Sequence, residues 1–552
     1  MLFYLNEYIM FRFDILVRPC LNSEYLIVLT NYECKTESRT AMLPLLVLIV
    51  ILAVYLYIKW IYSHWKRTGL QQIEPNFLYG NVKNTILGRI SIGDLYKNFY
   101  AEFKSMGLKH GGIYEFLTPA YVPIDTEIIK CILQKDFNHF MNHGEYVNEE
   151  LDPLTGHLLA LENERWKKLR GKLTPTFTSG KMKMMFPTMV TCTEGLIDIL
   201  KDYAKIQDGV DIKDVLQRFT TDIIGSAAFG LDCNSLKDPN SEFMEFGRKI
   251  FRGSRIRSLK RMICNNLPKS FLSFIRFKRT DRSIEDFFMG VVRSTVDYRE
   301  SNNIHRRDFM HLLLQLKNRG KVTEDESIFP NGDEKGDHFL TFNEVAAQCF
   351  VFFLAGFETS STTMTFVLLE LAKRQDLQDK LREEIKTVIQ RHNNKITYEG
   401  IMEMSYLDKV VNETLRLHPP APLTGRVCNA AYRIPNTDVI IQKGDKIRIS
   451  ILGIHRDPEY YPDPDTFDPE RFNEENKAKR PNFSFLPFGE GPRICIGEFI
   501  ISIKGKQEKR HLQNYFRRKN YIDSLEIDDL ILYLVQRFLV NSINHFNETI
   551  YQ

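Results

Sequence analysis

One cysteine near the end of the chain lies in a loop whose residue types suit metal chemistry. Cys495 lies in FLPFGEGPRICIGEFI, with Arg493 two residues before it and Gly497 two residues after it. A metal-bound thiolate must be deprotonated, and backbone N–H groups and nearby positive charge stabilise the anionic sulfur. The chain has no second Cys or His near Cys495 at the spacing of a zinc or iron–sulfur site. The loop therefore favours one thiolate that binds haem iron axially.

The rest of this loop favours close approach to a flat cofactor. Gly489, Gly491 and Gly497 allow tight backbone turns, and Pro492 stiffens them. The Arg493 guanidinium can reach an anionic edge of such a cofactor. We therefore expect the loop to hold both the metal and part of the cofactor's periphery.

A long apolar segment must position chemistry opposite this loop. It begins with Thr341 and Glu344, spaced as a capping box, and then stays apolar for about thirty residues. This pattern predicts a helix through the centre of a large domain. Ala355 and Gly356 remove side-chain bulk from its middle, and Glu358, Thr359 and Ser360 bring an acid and hydroxyls there. The interruption indicates either a groove that delivers protons or a packing notch against another helix.

A second helix is predicted over SYLDKVVNETLRL, where Ser405 and Asp408 are spaced as a cap and two prolines follow His418. It places Glu413 and Arg416 on one face. Alone this pair is a weak signal, because most such pairs are solvated. Arg471, in FDPERF, would close a three-membered ion network if folding brings it near. Buried networks of this kind serve specificity more than stability.

Together these motifs resemble those of the cytochrome P450 family. The haem-binding loop F-x-x-G-x-R-x-C-x-G is matched by Phe488, Gly491, Arg493, Cys495 and Gly497. The family's oxygen-groove, E-x-x-R and third network motifs are matched in the expected order by AGFETS at 355–360, by Glu413 with Arg416, and by PERF at 469–472. The resemblance runs from the membrane segment to about Phe499, and the wording of residues 148–186 is similar to insect microsomal members that oxidise foreign compounds.

The resemblance implies the function of a haem-thiolate monooxygenase. Cys495 would bind haem b, and Glu358 and Thr359 would relay protons to bound O2, so that one oxygen atom enters an apolar small molecule. NADPH–cytochrome P450 reductase would dock on a basic face near Cys495. The haem propionates would be clamped by Trp166, Arg170, Arg426 and Arg493. His143 stands where relatives more often carry Arg, so the resemblance does not extend to that position.

The composition excludes several other classes. Lys and Arg total 74 against 70 Asp and Glu, and a net charge of +4 spread along the chain gives no sign of nucleic-acid binding. Nine scattered cysteines without a CxxC pair suggest no disulfide framework and a reducing compartment.

An apolar run at residues 42–62 predicts a single transmembrane helix. Lys59, Lys66 and Arg67 follow or end this run, so the remainder is expected on the cytosolic side, at the endoplasmic reticulum membrane that the resemblance implies. A cleaved signal peptide is the alternative, but no small-residue cleavage site follows.

The expected fold is mainly α with small β-sheets, the α+β cytochrome P450 fold preceded by that membrane helix. We expect an N-terminal extension at 1–41, a membrane anchor at 42–62, a catalytic domain at 63–499 and an atypical tail at 500–552. The extension is either an artefact of the assumed translation start, with Met42 as the natural start, or a genuine segment. The tail is rich in Lys and Arg and replaces the last helix and strands of the family pattern, which suggests a mis-spliced or read-through end. A catalytically impaired haem or ligand binder is therefore the second hypothesis, and a haem-thiolate isomerase or dehydratase is the third.

The substrate pocket is expected to be apolar, with contacts from residues 125–150, 240–275, the central helix and the segment after Pro420. Its candidate aromatic residues are Phe243, Phe246, Phe251, Phe350, Phe352, Phe353 and Phe357. Single phenylalanines on helices are more often core than pocket, so the substrate itself is not predicted.

Overall fold

The computed structural model describes residues 38–497 of the 552-residue chain, apart from 206–209, 252–256, 258–259, 261–262, 265, 323–326 and 329–338. The chain divides into two units, of which the first ends at Ser63 and the second begins at His64. The predicted tail at 500–552 and residues 1–37 of the predicted extension lie outside the described residues.

Among its described residues the first unit has one helix, α1 (Ser38–Ile61), over the predicted membrane segment. The apolar stretch Leu45–Ile61, counted over described side chains alone, is at the lower end of the length range of transmembrane helices. Most of its large apolar side chains are exposed, and Leu48 is 61% exposed. A helix with this surface requires an apolar environment outside itself.

The second unit is mostly helical, as predicted. Its helices are α2 (His64–Arg67), α3 (Lys83–Ile86), α4 (Ile92–Ser105), α5 (Thr126–Lys130), α6 (Asn163–Leu173), α7 (Ser179–Ala204), α8 (Ile212–Ile224), α9 (Glu242–Phe251), α10 (Lys269–Phe274), α11 (Arg282–Ser301), α12 (Phe309–Asn318), α13 (Phe342–Lys373), α14 (Gln375–Arg391), α15 (Tyr398–Glu403), α16 (Ser405–Leu417), α17 (Ile451–His455) and α18 (Glu474–Lys479). Short 3-10 or π turns lie at Cys131–Lys135, Phe137–His139, Pro153–Thr155, Thr174–Phe177, Gly225–Phe229, Pro469–Phe472 and Gly491–Arg493.

Two small sheets complete the described fold. Their strands are β1 (His110–Glu115), β2 (Thr118–Pro123), β3 (Leu423–Val427), β4 (Tyr432–Arg433), β5 (Ile440–Ile441) and β6 (Lys446–Ser450). The larger sheet has the order β1-β2-β6-β3, in which only the β2–β6 pair is parallel. β4 and β5 form an antiparallel pair. The prediction of a mainly helical domain with small sheets is confirmed.

The predicted central helix is α13, and it begins with the predicted capping box. The Thr341 side chain accepts from the Glu344 backbone N–H, and the Glu344 carboxylate accepts from the Thr341 N–H. Among the described residues this helix alone is long and apolar enough to cross a membrane. It packs against α8, α11, α12, α14 and α16, so we identify it as the core helix of the domain.

Both readings of the soft middle of α13 have support in its packing. A Cβ added to Gly356 would lie 2.6 Å from Cδ1 of Ile224, so glycine lets α8 approach closely. Hydroxyls bond back one turn to carbonyls, with Ser361 to Phe357 at 2.7 Å and Thr363 to Thr359 at 3.0 Å. The segment is therefore a packing notch for α8 and also a polar stretch within a core helix.

The start of α16 differs from the prediction. Ser405 makes no cap for this helix, and its hydroxyl donates to the Glu384 carboxylate of α14 at 3.1 Å. The same carboxylate accepts from the backbone N–H groups of Tyr406 and Leu407 at 2.7 and 2.9 Å. A carboxylate from a neighbouring helix thus accepts hydrogen bonds from backbone N–H groups that a local cap residue would otherwise satisfy. The helix ends at Leu417, before the two prolines, as predicted.

The ion network predicted around α16 assembles in the interior. Arg416 and Glu413 are both 0% exposed, and Nε and Nη2 of Arg416 contact the two carboxylate oxygens of Glu413 at 2.6 and 2.8 Å. Arg416 also donates to the backbone carbonyls of His455, Pro464 and Thr466. Nε of Arg471 lies 3.5 Å from Oε1 of Glu413. One buried guanidinium therefore fixes the segment after α17 against α16.

We expect Arg416→Met to lower the free energy of unfolding by about 3–5 kcal/mol, because the Glu413 charge would stay buried without its partner. Chemical denaturation followed by far-UV circular dichroism measures this change. Arg433→Met is the matched control, since the Arg433 side chain is 66% exposed, and it should change stability by less than about 0.5 kcal/mol. Equal losses in the two variants would show that the network does not stabilise the fold.

Candidate active site

A cavity of about 1360 Å³ lies between the cysteine loop and the middle of α13. Residues of α6, α8, β3 and β6 also line it. Its lining includes the following residues predicted for the site from the sequence, namely Trp166, Arg170, Thr359, Arg426, Phe488, Arg493, Cys495 and Gly497. The cavity thus collects side chains that are separated by more than 300 positions in the sequence.

The cysteine loop presents its thiol to this cavity. The backbone N–H of Cys495 donates to the Phe488 carbonyl at 3.0 Å, which closes the loop, and Cys495 itself is exposed. Gly491 has a φ of +75°, and a Cβ placed on it would lie 1.9 Å from the Leu133 carbonyl oxygen. Contact with the turn at 131–135 therefore requires glycine at this position. This reason is additional to the predicted approach to a cofactor.

Arg493 makes contacts within the protein that the sequence did not predict. Its Nε, Nη1 and Nη2 atoms donate to backbone carbonyls, including those of Met141 at 2.9 Å and Leu161 at 2.6 Å. The guanidinium also lies 4.2 Å from the centre of the Trp166 ring. Burial lowers the pKa of Arg493 to about 9, and the nearby Arg426 charge acts in the same direction. Arg493 therefore joins the cysteine loop to α6 while bringing positive charge to the cavity wall.

Arg426 is the most enclosed cation of the cavity. It is 1% exposed, and its hydrogen bonds to described residues go to neutral groups, which are His143, Thr424 and the Gly425 carbonyl. Its Nε atom has no hydrogen-bond partner among the described residues. Burial lowers the pKa of Arg426 to about 10. A guanidinium held in this way lacks the charged partner that usually accompanies a buried ion.

His143, which departs from the family pattern, lies beside Arg426. Its Nδ1 is 3.1 Å from Nη1 of Arg426 and 2.9 Å from the Gly425 carbonyl oxygen. Burial and then the Arg426 charge hold the pKa of His143 well below its usual value. The ring is therefore neutral at neutral pH, and its Nδ1 either donates to the Gly425 carbonyl or accepts from Arg426, according to the tautomer. It supplies no positive charge of the kind that an arginine would bring.

These charges fit the periphery of a haem. Neither Arg426 nor Arg493 forms an ion pair with any carboxylate of the described chain. Carboxylates of a bound cofactor would supply the missing negative charge, and bidentate guanidinium–carboxylate contacts are strong. With Cys495 on the same cavity wall, the donor set of one thiolate and buried cations suits haem propionates and iron.

Thr359 and Glu358 face different surroundings. Thr359 lines the cavity and its hydroxyl donates to the Ala355 carbonyl at 2.5 Å, whereas Glu358 does not line the cavity. The Glu358 carboxylate accepts from Lys213 at 2.9 Å and from Gln217 at 3.0 Å, both on α8. Adjacent residues on a helix point about 100° apart, which explains the separation. The Glu358 side chain is 32% exposed, so its carboxylate contacts solvent as well as α8.

Most of the predicted pocket phenylalanines belong to the core. Of the seven, only Phe352 lines the cavity. Phe243, Phe350, Phe353 and Phe357 lie in the main hydrophobic cluster. The phenylalanines that do line the cavity are Phe116, Phe177, Phe309, Phe352 and Phe488. Helical periodicity could not separate these groups, because α13 is apolar on nearly every face.

Sequence reasoning missed a charged group in the cavity wall. Glu115, Lys446 and Arg448 line it from β1 and β6. Their pairing depends on sheet neighbours about 330 positions apart, and no local spacing in the sequence indicates it. Two features of the sequence could have indicated this group. Glu115 is an acidic residue at the end of one strand, and Lys446 and Arg448 are basic residues at alternating positions of another.

The fold and this site define a haem-thiolate enzyme, and comparisons with known proteins identify its family. The Cytochrome P450 family model matches residues 78–502. The chain is 42% identical to probable cytochrome P450 6a20 of Drosophila melanogaster, over 83% of this chain and 89% of that protein. It is 44% identical to cytochrome P450 6A1 of Musca domestica (81% and 86%) and 42% identical to cytochrome P450 6k1 of Blattella germanica (81% and 86%).

The chain therefore belongs to the cytochrome P450 family, and the predicted resemblance is confirmed. Its members are monooxygenases whose cofactor is haem b with a cysteine thiolate as axial ligand.

Arg426→Gln should affect the protein with and without haem in opposite directions. Without haem, removal of a buried charge that lacks a charged partner should raise the free energy of unfolding by about 1–3 kcal/mol. With haem, loss of the guanidinium–carboxylate contact should weaken haem binding about tenfold or more. Denaturation of haem-free protein and titration with hemin measure the two quantities. Arg433→Gln is the control, and destabilisation of the haem-free Arg426 variant would contradict a role in holding the cofactor.

Proposed function

We propose that this enzyme is a membrane-bound monooxygenase that inserts one oxygen atom of O2 into apolar small molecules, foreign compounds among them. The observation that carries the proposal is the placement of Cys495, uncompensated buried cations and Thr359 around one cavity. Cys495 is the axial ligand in this proposal, and Arg426, with Arg170 and Trp166 nearby, holds the propionate edge. The bound haem supplies the oxidation chemistry, with electron density pushed towards the iron by the thiolate.

The chain's own residues carry protons to the cavity. The Thr359 hydroxyl stands at the cavity wall and holds a proton at Oγ1 for water in the groove beside Gly356. Glu358 takes protons from solvent at its partly exposed carboxylate. Lys213 also contacts the Thr362 hydroxyl, which itself donates to Glu358 at 3.1 Å. This set of polar groups supports a route for protons that enters beside α8 and reaches the cavity along α13.

The electron donor is NADPH–cytochrome P450 reductase in this proposal. α6 presents Arg165, Lys167 and Lys168 on its exposed side, while Trp166 on its other side lies against Arg493 of the cysteine loop. A basic surface therefore lies directly behind the residues that hold the cofactor, and such a surface attracts an acidic partner.

The proposed location is the endoplasmic reticulum membrane, with the domain of residues 63–499 facing the cytosol. α1 supports this, because its exposed apolar side chains suit lipid, and Lys59, Lys66 and Arg67 follow the tendency of cytoplasmic flanks to be basic. The proposed substrates are apolar because phenylalanine, isoleucine, leucine and methionine side chains line much of the cavity.

The full chain should bind haem and give the Soret band of thiolate ligation when it is reduced under carbon monoxide. Cys495→Ala should lose this band, because no other described cysteine lines the cavity. Cys428→Ala is the matched control, since Cys428 is buried outside it, and this variant should keep the band. A band typical of neutral ligation in the parent chain, or failure to retain haem, would favour the impaired binder. Turnover without NADPH would favour the isomerase or dehydratase.

Lys213→Met should disturb proton delivery without weakening substrate binding. Glu358 would lose its charged partner on α8, and we expect less product per NADPH consumed and a larger solvent isotope effect on turnover. Glu358→Gln should have the larger effect, about 100-fold in turnover. Lys205→Met is the control, because Lys205 forms only an exposed pair with Asp202. An unchanged ratio of product to NADPH and an unchanged pH profile in both test variants would exclude this route.

A further inference from the structure

A buried histidine lies between the ion network of α16 and the cysteine loop. His455 is the last residue of α17 and is 0% exposed. Its backbone carbonyl accepts from Nη1 of Arg416 at 2.9 Å, so it belongs to the segment that the network holds against α16. His455 does not line the cavity, and neither the cofactor site nor the proton route described above uses its ring.

The hydrogen bond of this ring decides where its proton lies. Nε2 is 2.8 Å from the backbone nitrogen of Leu486, and an amide N–H can only donate. Nε2 is therefore the acceptor, and the neutral ring carries its proton on Nδ1. Burial, and then the Arg416 charge, lower the pKa of His455 to about 3, so the ring keeps this acceptor at neutral pH.

The other ring nitrogen makes a histidine costly at this position. Nδ1 is buried and has no hydrogen-bond partner among the described residues. A buried donor without a partner lowers stability. The ring also stacks on Phe485 with 5.2 Å between the ring centres, a contact that a phenylalanine could make as well. The acceptor at Nε2 is therefore what histidine supplies here and an apolar ring would not.

Leu486 connects this histidine to the cysteine loop. Its carbonyl accepts from the Gly489 N–H at 3.1 Å, and the Phe488 carbonyl accepts from the Cys495 N–H at 3.0 Å. Leu486 is 0% exposed, whereas Pro487 and Phe488 beside it line the cavity. One residue thus contacts the histidine through its N–H and the turn of the loop through its carbonyl.

Tyr461 gives the same segment a second support. Its hydroxyl donates to the Ser484 carbonyl at 3.0 Å and accepts from Nη1 of Arg480 at 3.0 Å. The Arg416 guanidinium lies 5.1 Å from the centre of the Tyr461 ring. Residues 484–486 are therefore held at two points, and the bond from His455 is the one nearer to Cys495 along the chain.

We propose that His455 is a positioning residue for the axial thiolate. Its Nε2 atom fixes Leu486, and Leu486 fixes the turn that presents Cys495 to the haem iron. The inference rests on the proposed function, because Cys495 must be the ligand. One residue then connects the buried ion network to the metal ligand, with its carbonyl towards Arg416 and its ring towards the loop.

The test replaces the ring by side chains that carry an acceptor at different distances from the backbone. The amide oxygen of Gln can reach the position of Nε2, whereas that of Asn reaches only the position of Nδ1. His455→Gln should keep the thiolate Soret band of the reduced, carbon-monoxide-bound protein. His455→Asn and His455→Phe should lower the ratio of thiolate to neutral ligation about tenfold. His392→Phe is the matched control, because the His392 ring bonds to Glu403 and Thr397 outside the cavity.

Amide hydrogen exchange provides a readout at the bond itself. In haem-loaded full-length protein, mass spectrometry measures the exchange of a peptide that contains residue 486. The Leu486 amide should exchange about tenfold faster in His455→Asn and His455→Phe than in the parent and in His455→Gln.

Equal losses of the thiolate band in the Gln and Asn variants would overturn the inference, because the shape of the ring and not its acceptor would then matter. An unchanged ratio in all three variants would overturn it as well. Either result with a normal thiolate band in the parent chain rejects this inference alone. Absence of that band in the parent would reject the proposed function with it.

Discussion

The site depends on positive charge that the described chain buries without neutralising. Arg426 has only neutral partners, and the nitrogens of Arg493 donate to backbone carbonyls. Such burial is costly, and a protein retains it where a ligand brings the opposite charge. Because the Arg493 guanidinium also lies over the Trp166 ring, it links the position of the cysteine loop to that of α6. Burial of these cations lowers the stability of the fold, and a bound anion would supply the missing negative charge.

The geometry of α13 sets a second constraint on the chemistry. Adjacent residues on a helix point about 100° apart, and in this helix Thr359 faces the cavity while Glu358 faces α8. The separation is useful for proton transfer, because an acid that contacts solvent exchanges protons freely, whereas a hydroxyl in the cavity wall stays sheltered. Gly356 makes the two compatible, since its missing side chain allows Ile224 of α8 to come close. The packing notch and the polar groove are therefore one feature of the same helix.

The features that could be predicted from the sequence are those formed by residues close together in the chain. The haem-binding loop, the capping box at Thr341 and the Glu413–Arg416 pair all lie within local segments, and family resemblance ordered them. Contacts between distant segments were not predictable in this way. Glu384 replaces the expected cap at Ser405, and the Leu133 carbonyl, not only a cofactor, requires Gly491. Which of the candidate phenylalanines would meet the cavity was also not predictable, because four of the seven lie on α13, whose apolar faces do not reveal which side meets the cavity.

The larger sheet explains how two arginine side chains of one cavity wall are kept apart. β3 carries Arg426, and its neighbour β6 carries Arg448, in a register that places Arg448 opposite Gly425. Because side chains alternate along a strand, a change of register by one residue would bring Arg448 to the face of Arg426 and would remove Glu115 from its reach. The pairing of β1 with β2, and of β2 with β6, fixes Glu115 at the required end of the sheet. Strand register therefore decides on which side of β3 each of the two charges lies.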